Sequence, residues 1–459
     1  MPTDASVSAA GAAAPGGRAP AARSSPRAPA DPAPAAGHGA PAGGTAGAAP
    51  VALPGTGALP PIALTEPAEG VPAVTDTPAA LEAAVAALRG GTGPVAVDAE
   101  RASGYRYGQR AYLVQLRRAG SGTVLLDPVP FADLSALAEV LNPAEWVLHA
   151  ADQDLPCLNE LGLVPAALFD TELASRLLGR ERVGLAAVVA ENLGYELAKE
   201  HSAADWSTRP LPESWLRYAA LDVELLVELR ETLTAQLEAA GKLTWALQEF
   251  EHVRTAPPPA PRVDPWRRTS GLQAVRSPRG LAVARELWLA REELARQRDR
   301  SPGRVLPATA IVAAALALPR TEGQLVRIRE FSGRGTRQRA AYWQAAISRA
   351  LALPESQLPP RRAPRDPDQL PSPRAWGEKN PDAAARLEAV RACVRGLAEQ
   401  LSLPQENLLS PATQRRFAWE TGPRPTPAQV GDRLAALGAR EWQVELVSGP
   451  LARAVADVA

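Results

Sequence analysis

Proline and glycine decide where this chain can build a core. Of its first 60 residues, 42 are Ala, Gly or Pro, and almost none is an aliphatic residue larger than Val. Such a segment buries too little apolar surface to offset the entropy lost on ordering. The expectation is a disordered tail over residues 1–77, with order beginning near Pro78. Two further Pro-rich stretches, Ala256–Pro261 and Leu353–Pro373, read as stiff linkers. They divide the remainder into segments at 78–255, 271–352 and 374–459. The tail has no apolar run of the kind a signal peptide needs, so a cytoplasmic protein is expected. Nowhere in the chain do 18 apolar residues follow one another, which excludes a membrane-spanning helix.

The first segment alternates between two periodicities. Short β-like runs lie at Pro94–Ala99, Tyr112–Arg117, Thr123–Leu126 and Trp146–His149. Helical patterns occupy Leu155–Leu161, Thr171–Leu178, Leu185–Leu193 and a long stretch from Glu213 to about Leu237. This interleaving predicts a mixed α/β domain, whereas the two later segments carry helical patterns alone. Each of those is about 80 residues of short helices, and the pair reads as a degenerate internal repeat.

Summed charge is uninformative, with 50 Lys+Arg against 50 Asp+Glu. Divided charge is not. Residues 81–252 hold 25 acids and 14 bases, and residues 262–350 hold 18 bases and 7 acids. A basic helical module beside an acidic α/β domain suits a polyanion gripped by one and cations held by the other. Arginines on solvated helix faces would give the same count. The two cysteines, Cys157 and Cys393, stand too far apart in sequence for a CxxC motif, which excludes a zinc finger or an iron–sulfur site. The absence of GxxxxGK[ST] excludes a Walker-type nucleotide site, and no nucleotide cofactor is expected.

Three acidic sites stand out. In Val95-Ala96-Val97-Asp98-Ala99-Glu100 an apolar strand ends in two acids two residues apart, hence on one face. Either the strand enters an acidic turn, or cations sit between carboxylates that otherwise repel. His149-Ala150-Ala151-Asp152-Gln153-Asp154 passes from strand to helix, where Asp152 suits an N-cap and Asp154 the first turn. Tyr218 and Asp222, four apart, share a helix face amid Leu216, Leu221, Val223, Leu225 and Leu226. Such a pair serves structure as readily as chemistry. If the sites converge, four carboxylates offer hard oxygen ligands that suit Mg²⁺ or Mn²⁺ rather than Zn²⁺.

Taken together, Asp98-x-Glu100, His149–Asp154 and Tyr218-x-x-x-Asp222 resemble the motifs of the DEDD 3′→5′ exonucleases with Tyr in the third motif. The nearer resemblance is to the ribonuclease D family. It extends through Asp170-Thr171 and Lys199 to Asp205-Trp206-Ser207-Thr208-Arg209-Pro210-Leu211. The segment 271–352 is similar to the helicase-and-ribonuclease-D C-terminal (HRDC) domain, and 374–459 to a second HRDC-like domain. One departure is Ala99, where the family usually has Thr; it falls on the side of the strand away from the acids.

The resemblance implies a ribonuclease H-like fold, a mixed five-stranded sheet with flanking helices, followed by two all-α HRDC-like domains. It implies that Asp98, Glu100, Asp154 and Asp222 bind two divalent ions, Mg²⁺ or Mn²⁺, and that Tyr218 orients the attacking water. Spacing from His149 favours Asp154 over Asp152 as the second-motif ligand. The activity implied is 3′→5′ exoribonuclease action on RNA such as tRNA precursors, releasing 5′-nucleoside monophosphates, by a monomeric protein. Arg327, Arg329, Arg334, Arg337 and Arg339, around the turn at Gly333–Gly335, are the expected phosphate contacts. A DNA 3′→5′ exonuclease of repair and a nucleic-acid-binding protein with a decayed site are the alternatives.

Overall fold

The computed structural model describes residues 61–197, 201, 203–258, 260–363 and 368–458. Most of the expected tail, and Lys199, lie outside the described residues.

Order begins earlier than residue 78. Strand β1 (Ile62–Leu64) and strand β2 (Val74–Thr75) precede helix α1 (Pro78–Gly90). The tail expected through residue 77 is therefore too long. Ile62, Leu64 and Val74 are branched apolar residues of a kind sparse upstream, and short strands then form by pairing with strands already present. Thr77 caps α1 by accepting a 3.3 Å hydrogen bond from the Ala80 amide, with Pro78 in the first turn.

The sheet runs through β3 (Thr92–Arg101), β4 (Ala111–Ala119) and β5 (Gly122–Leu126), an antiparallel meander. After helix α2 (Ser135–Leu141), β6 (Glu145–Leu148) lies parallel to β3. Helix α3 (Leu155–Glu160) then leads to β7 (Ala167–Asp170), parallel to β6. The spatial order is β2-β5-β4-β3-β6-β7: the expected mixed five-stranded sheet with the two-residue β2 added on its edge. Helices α4 (Thr171–Leu177) and α5 (Leu185–Leu193) follow, and among the described residues β8 (Tyr195–Leu197) pairs with β1 alone.

The long helix expected from Glu213 is broken. Helix α6 (Glu213–Glu224) ends at Leu225, and α7 (Leu226–Ala239) and α8 (Leu243–Arg254) follow. The break lets the chain serve two cores. Ala219 and Ala220 of α6 pack with Leu113 of β4 and Leu125 of β5 on one face of the sheet. Leu226, Leu229, Leu233 and Leu237 of α7 join Val95, Val97, Leu116 and Trp146 on the other.

The two later segments repeat one plan. Helix α9 (Pro278–Gln297) is followed by helices at Pro302–Val305 and Ala308–Ala317. The same three lengths recur at Pro381–Gln400, Gln405–Leu408 and Pro411–Glu420. Their packing differs. The first module has its own core around Trp266, Leu287, Ile311, Phe331 and Trp343. The second has none apart from the α/β domain: Trp376, Val394, Phe417 and Trp442 belong to one buried cluster with β3, β6 and α7. At that junction Trp245 of α8 stacks on Trp442 at 5.0 Å, and Arg440 pairs with Glu249 at 2.6 and 2.7 Å. Among the described residues no helix is long and apolar enough to cross a membrane.

Candidate active site

Strand alternation sends Asp98 and Glu100 to the sheet face covered by α6, while Ala99 turns into the main core on the opposite face. Asp222, in the last turn of α6, meets them there. One carboxylate oxygen each from Asp98, Glu100 and Asp222 lie within 4.8 Å of one another. Tyr218, one turn earlier on the same helix, lies close enough to Asp222 for that carboxylate to add to burial in raising its phenol. Asp154 arrives from the loop after β6, because β6 runs parallel to β3 and ends beside it. It is buried, whereas Asp152 is exposed. One Asp154 oxygen lies 3.2 Å from the Arg101 guanidinium, which also donates to the Gln153 carbonyl.

Electrostatics make this a costly arrangement. Burial raises the Asp98 carboxyl to about 6, only partly offset by the Ala99 amide and Arg101. Burial first, then Asp98, Asp222 and Asp154, push Glu100 up to about 10. Burial and then Asp98 raise Asp154 to about 8. Asp222 is driven well above the ordinary carboxylate range by burial and Asp98. Burial and the neighbouring acids keep Tyr218 a neutral phenol. Carboxylates that cannot all ionise without a counter-charge form a donor set suited to hard divalent cations. A second observation fits such a group. Gln115 on β4 is in register with Asp98 and fully buried on the same face, yet neither its Oε1 nor its Nε2 has a hydrogen-bond partner among the described residues. A buried amide beside a carboxylate is the kind of group that steadies a ligating oxygen.

Comparison with known proteins follows this geometry. A family model for the 3′-5′ exonuclease matches residues 72–238, the HRDC domain matches 280–347, and a 3′ to 5′ exonuclease C-terminal domain matches 369–455. The ribonuclease D of Pseudomonas paraeruginosa is 33% identical over 290 residues, 62% of this chain and 73% of its own length. This chain belongs to the ribonuclease D family. The ribonuclease D of Escherichia coli K12 is 32% identical over 271 residues, 58% of this chain and 71% of its own. Its crystal structure, described as an exoribonuclease involved in structured RNA processing, aligns with a TM-score of 0.59 at 26% identity over 80% of this chain and 98% of that one. A crystal structure of a protein from Bifidobacterium adolescentis aligns with a TM-score of 0.80 at 40% identity over 86% of this chain and 99% of the other. As a ribonuclease D family member the protein is a 3′→5′ exoribonuclease that acts on RNA and depends on divalent metal.

Other residues of this family member now have visible roles. Arg209 grips Asp127 through two bonds of 2.5 and 2.9 Å and donates to the Trp206, Thr208 and Tyr112 carbonyls. Its donors tie the loop that leads into α6 to β4 and to Asp127 beyond β5. Trp206 is fully buried beneath Tyr218, with ring centroids 6.4 Å apart. His149 holds Thr171 at 2.9 Å, and burial lowers its pKa to about 4, so it is a neutral structural group. Burial raises the Cys157 thiol to about 12, which leaves it inert.

Spacing alone missed the function of Asp170. Its carboxylate accepts from the Ala150 and Ala151 amides at 3.1 and 2.9 Å and from Glu172 and Leu173 at 2.9 and 3.1 Å. One side chain thus caps α4 and holds the loop that presents Asp154. The signal was present in Asp170-Thr171, an N-cap pair at a strand end. The predicted arginines Arg327, Arg329, Arg334 and Arg337 are exposed, and Arg339 is half-buried. Only Arg339 reaches the cleft of about 700 Å³ in that module, where Arg298, Arg300 and Arg304 also converge.

Proposed function

We propose that this ribonuclease D shortens structured RNA, such as tRNA precursors, from the 3′ end by two-metal hydrolysis, releasing 5′-nucleoside monophosphates as a cytoplasmic monomer. Asp98, Glu100, Asp154 and Asp222 would hold two ions, Mg²⁺ or Mn²⁺. When bound, such ions supply a more acidic attacking water and charge stabilisation for the departing 3′-oxygen. The chain's own groups do the positioning. Tyr218 keeps its proton and orients the water by hydrogen bonding, and Asp222 fixes the phenol. Trp206 and Arg209 hold the loop from which α6 starts. The division of labour follows 78–255, 271–352 and 374–459, with chemistry in the first segment. Arg327, Arg329, Arg334, Arg337 and Arg339 offer the upstream RNA phosphate contacts that depend on salt.

The observation that carries the reading is the gathering of Asp98, Glu100 and Asp222, with Asp154 beside them, on buried ground where they ionise together only with a counter-charge. The test is digestion of a 5′-labelled RNA with a single-stranded 3′ tail in Mg²⁺, Mn²⁺ or EDTA. The expected result is a metal-dependent ladder receding from the 3′ end, abolished in Asp154→Asn and Asp222→Asn. Full activity in either variant would remove that residue from the site. A matched DNA oligomer digested as fast as the RNA would overturn the substrate assignment.

A further inference from the structure

Arg101 is the unexpected member of the site. The ladder between β3 and β4 slips immediately after Glu100: Glu100 pairs with Leu113, but Arg101 pairs with Ala111, and Tyr112 is passed over. A bulge of this kind re-aims the side chains beside it. Here Arg101 reaches across to the loop after β6, where it meets the Asp154 oxygen at 3.2 Å and donates to the Gln153 carbonyl. It is the cation that acts on Asp98, Glu100 and Asp154 alike. The carboxylates therefore fall into two groups. Asp98, Glu100 and Asp222 already share a space that one cation can fill. Asp154 is already claimed by a guanidinium. Arg101 is 25% exposed in its side chain against 7% for Asp154, so a substrate phosphate can approach the guanidinium from solvent.

We propose that Arg101 is a positioning residue that competes with divalent cation for Asp154 and yields the carboxylate when an RNA phosphate draws the guanidinium away. This rests on the two-ion reading given above. A carboxylate paired with a fixed cation attracts a divalent ion less strongly than a free one, and two cations around one oxygen repel. A phosphate at the site offers Arg101 a bidentate partner of higher charge. Ion uptake on the Asp154 side thus becomes coupled to substrate.

Mn²⁺ binding by the full chain, counted from the loss of the free-ion electron paramagnetic resonance signal, tests this without turnover. The probe for the phosphate is adenosine 5′-monophosphate, which the enzyme cannot shorten. The wild type should bind one Mn²⁺ tightly and a second about tenfold or more weakly, and the nucleotide should tighten the second. Arg101→Gln should bind the second ion tightly without nucleotide, and the nucleotide should add little. Arg101→Lys, which keeps the charge, should stay close to wild type and guards against a folding defect. In RNA digestion, Arg101→Gln should need less Mn²⁺ for half-maximal rate while its KM for RNA rises, a split that a purely structural role would not produce. Two ions bound alike by wild type and Arg101→Gln would overturn the Arg101 role alone. A single ion in every protein, with or without nucleotide, would overturn the two-ion reading beneath it.

Discussion

Asp98, Glu100 and Asp154 make the folded protein hold protons that the unfolded chain releases. Their ordinary values of 3.8, 4.5 and 3.8 rise to about 6, 10 and 8, chiefly through burial. Folded values above unfolded ones give a contribution that is intact below about pH 4 and is lost as pH climbs through the raised values. In EDTA, the Tm should therefore fall steadily between about pH 5 and pH 9, and Mn²⁺ should flatten that decline. Asp98→Asn should melt higher than wild type in EDTA at about pH 8 and lose most of its response to Mn²⁺. Differential scanning calorimetry across that range checks both, and a flat profile for the wild type in EDTA would contradict them. The acids themselves were legible, because Asp-x-Glu at a strand end and Tyr-x-x-x-Asp on a helix are local spacings. Arg101 was not, since its path depends on a register slip that no local pattern announces.

Asp170 shows what one residue does for the elements around it. It stops β7, caps α4, and through the Ala150 and Ala151 amides fixes a turn in which Ala150 has a left-handed φ of 59°. Asp170→Ala should cost about 2–3 kcal/mol of stability, from charge-assisted bonds lost to four amides. It should also lower kcat well below what that instability explains, because Asp154 loses its platform; urea unfolding and turnover of the folded fraction separate the two. Wild-type kcat in a destabilised Asp170→Ala would assign Asp170 to folding alone. The strands at 94–99, 112–117, 123–126 and 146–149 were readable from apolar runs bounded by turn residues. The break at Leu225 was not. Leu221, Leu225 and Leu229 keep one helical rhythm across the break, and only the presence of separate cores on the two sheet faces requires α6 and α7 to part.

At the scale of the whole molecule the two helical modules are attached in different ways. The second is part of the main core, and Lys242 ties it further by donating to the Leu401 carbonyl at 2.7 Å and to Leu177 at 2.8 Å. Trp442→Ala should cost about 3–5 kcal/mol and lower the melting of the exonuclease domain itself, in one transition monitored by activity and by tryptophan fluorescence. Independent melting of the C-terminal module would refute a shared core. The first module touches the α/β domain at a polar seam on the loop that leaves β3. Asp299 reaches Arg110 at 3.4 Å and Arg106 at 3.7 Å and accepts from the Tyr107 amide at 3.3 Å. Arg304 lies 4.1 Å over the Tyr105 ring and donates to the Gly104 carbonyl at 2.8 Å. Asp299→Ala should loosen that seam, raising KM for long structured RNA several-fold while leaving hydrolysis of a short oligomer unchanged. An equal effect on both substrates would place the seam's influence in the active site.

Read alone, the chain determined its fold class through alternation, helical spacing and proline content, which are local properties that survive without knowledge of contacts, while the resemblance of its acidic motifs pointed to its family. Tertiary structure decided what those properties do not contain. It buried Asp154 and left Asp152 exposed, turned Arg209 inward as a brace for α6, and merged the last module with the first core. It also set Arg101 against Asp154. Each of these depends on which distant residues meet, and a meeting across the sheet is fixed by packing and register rather than by spacing along the chain.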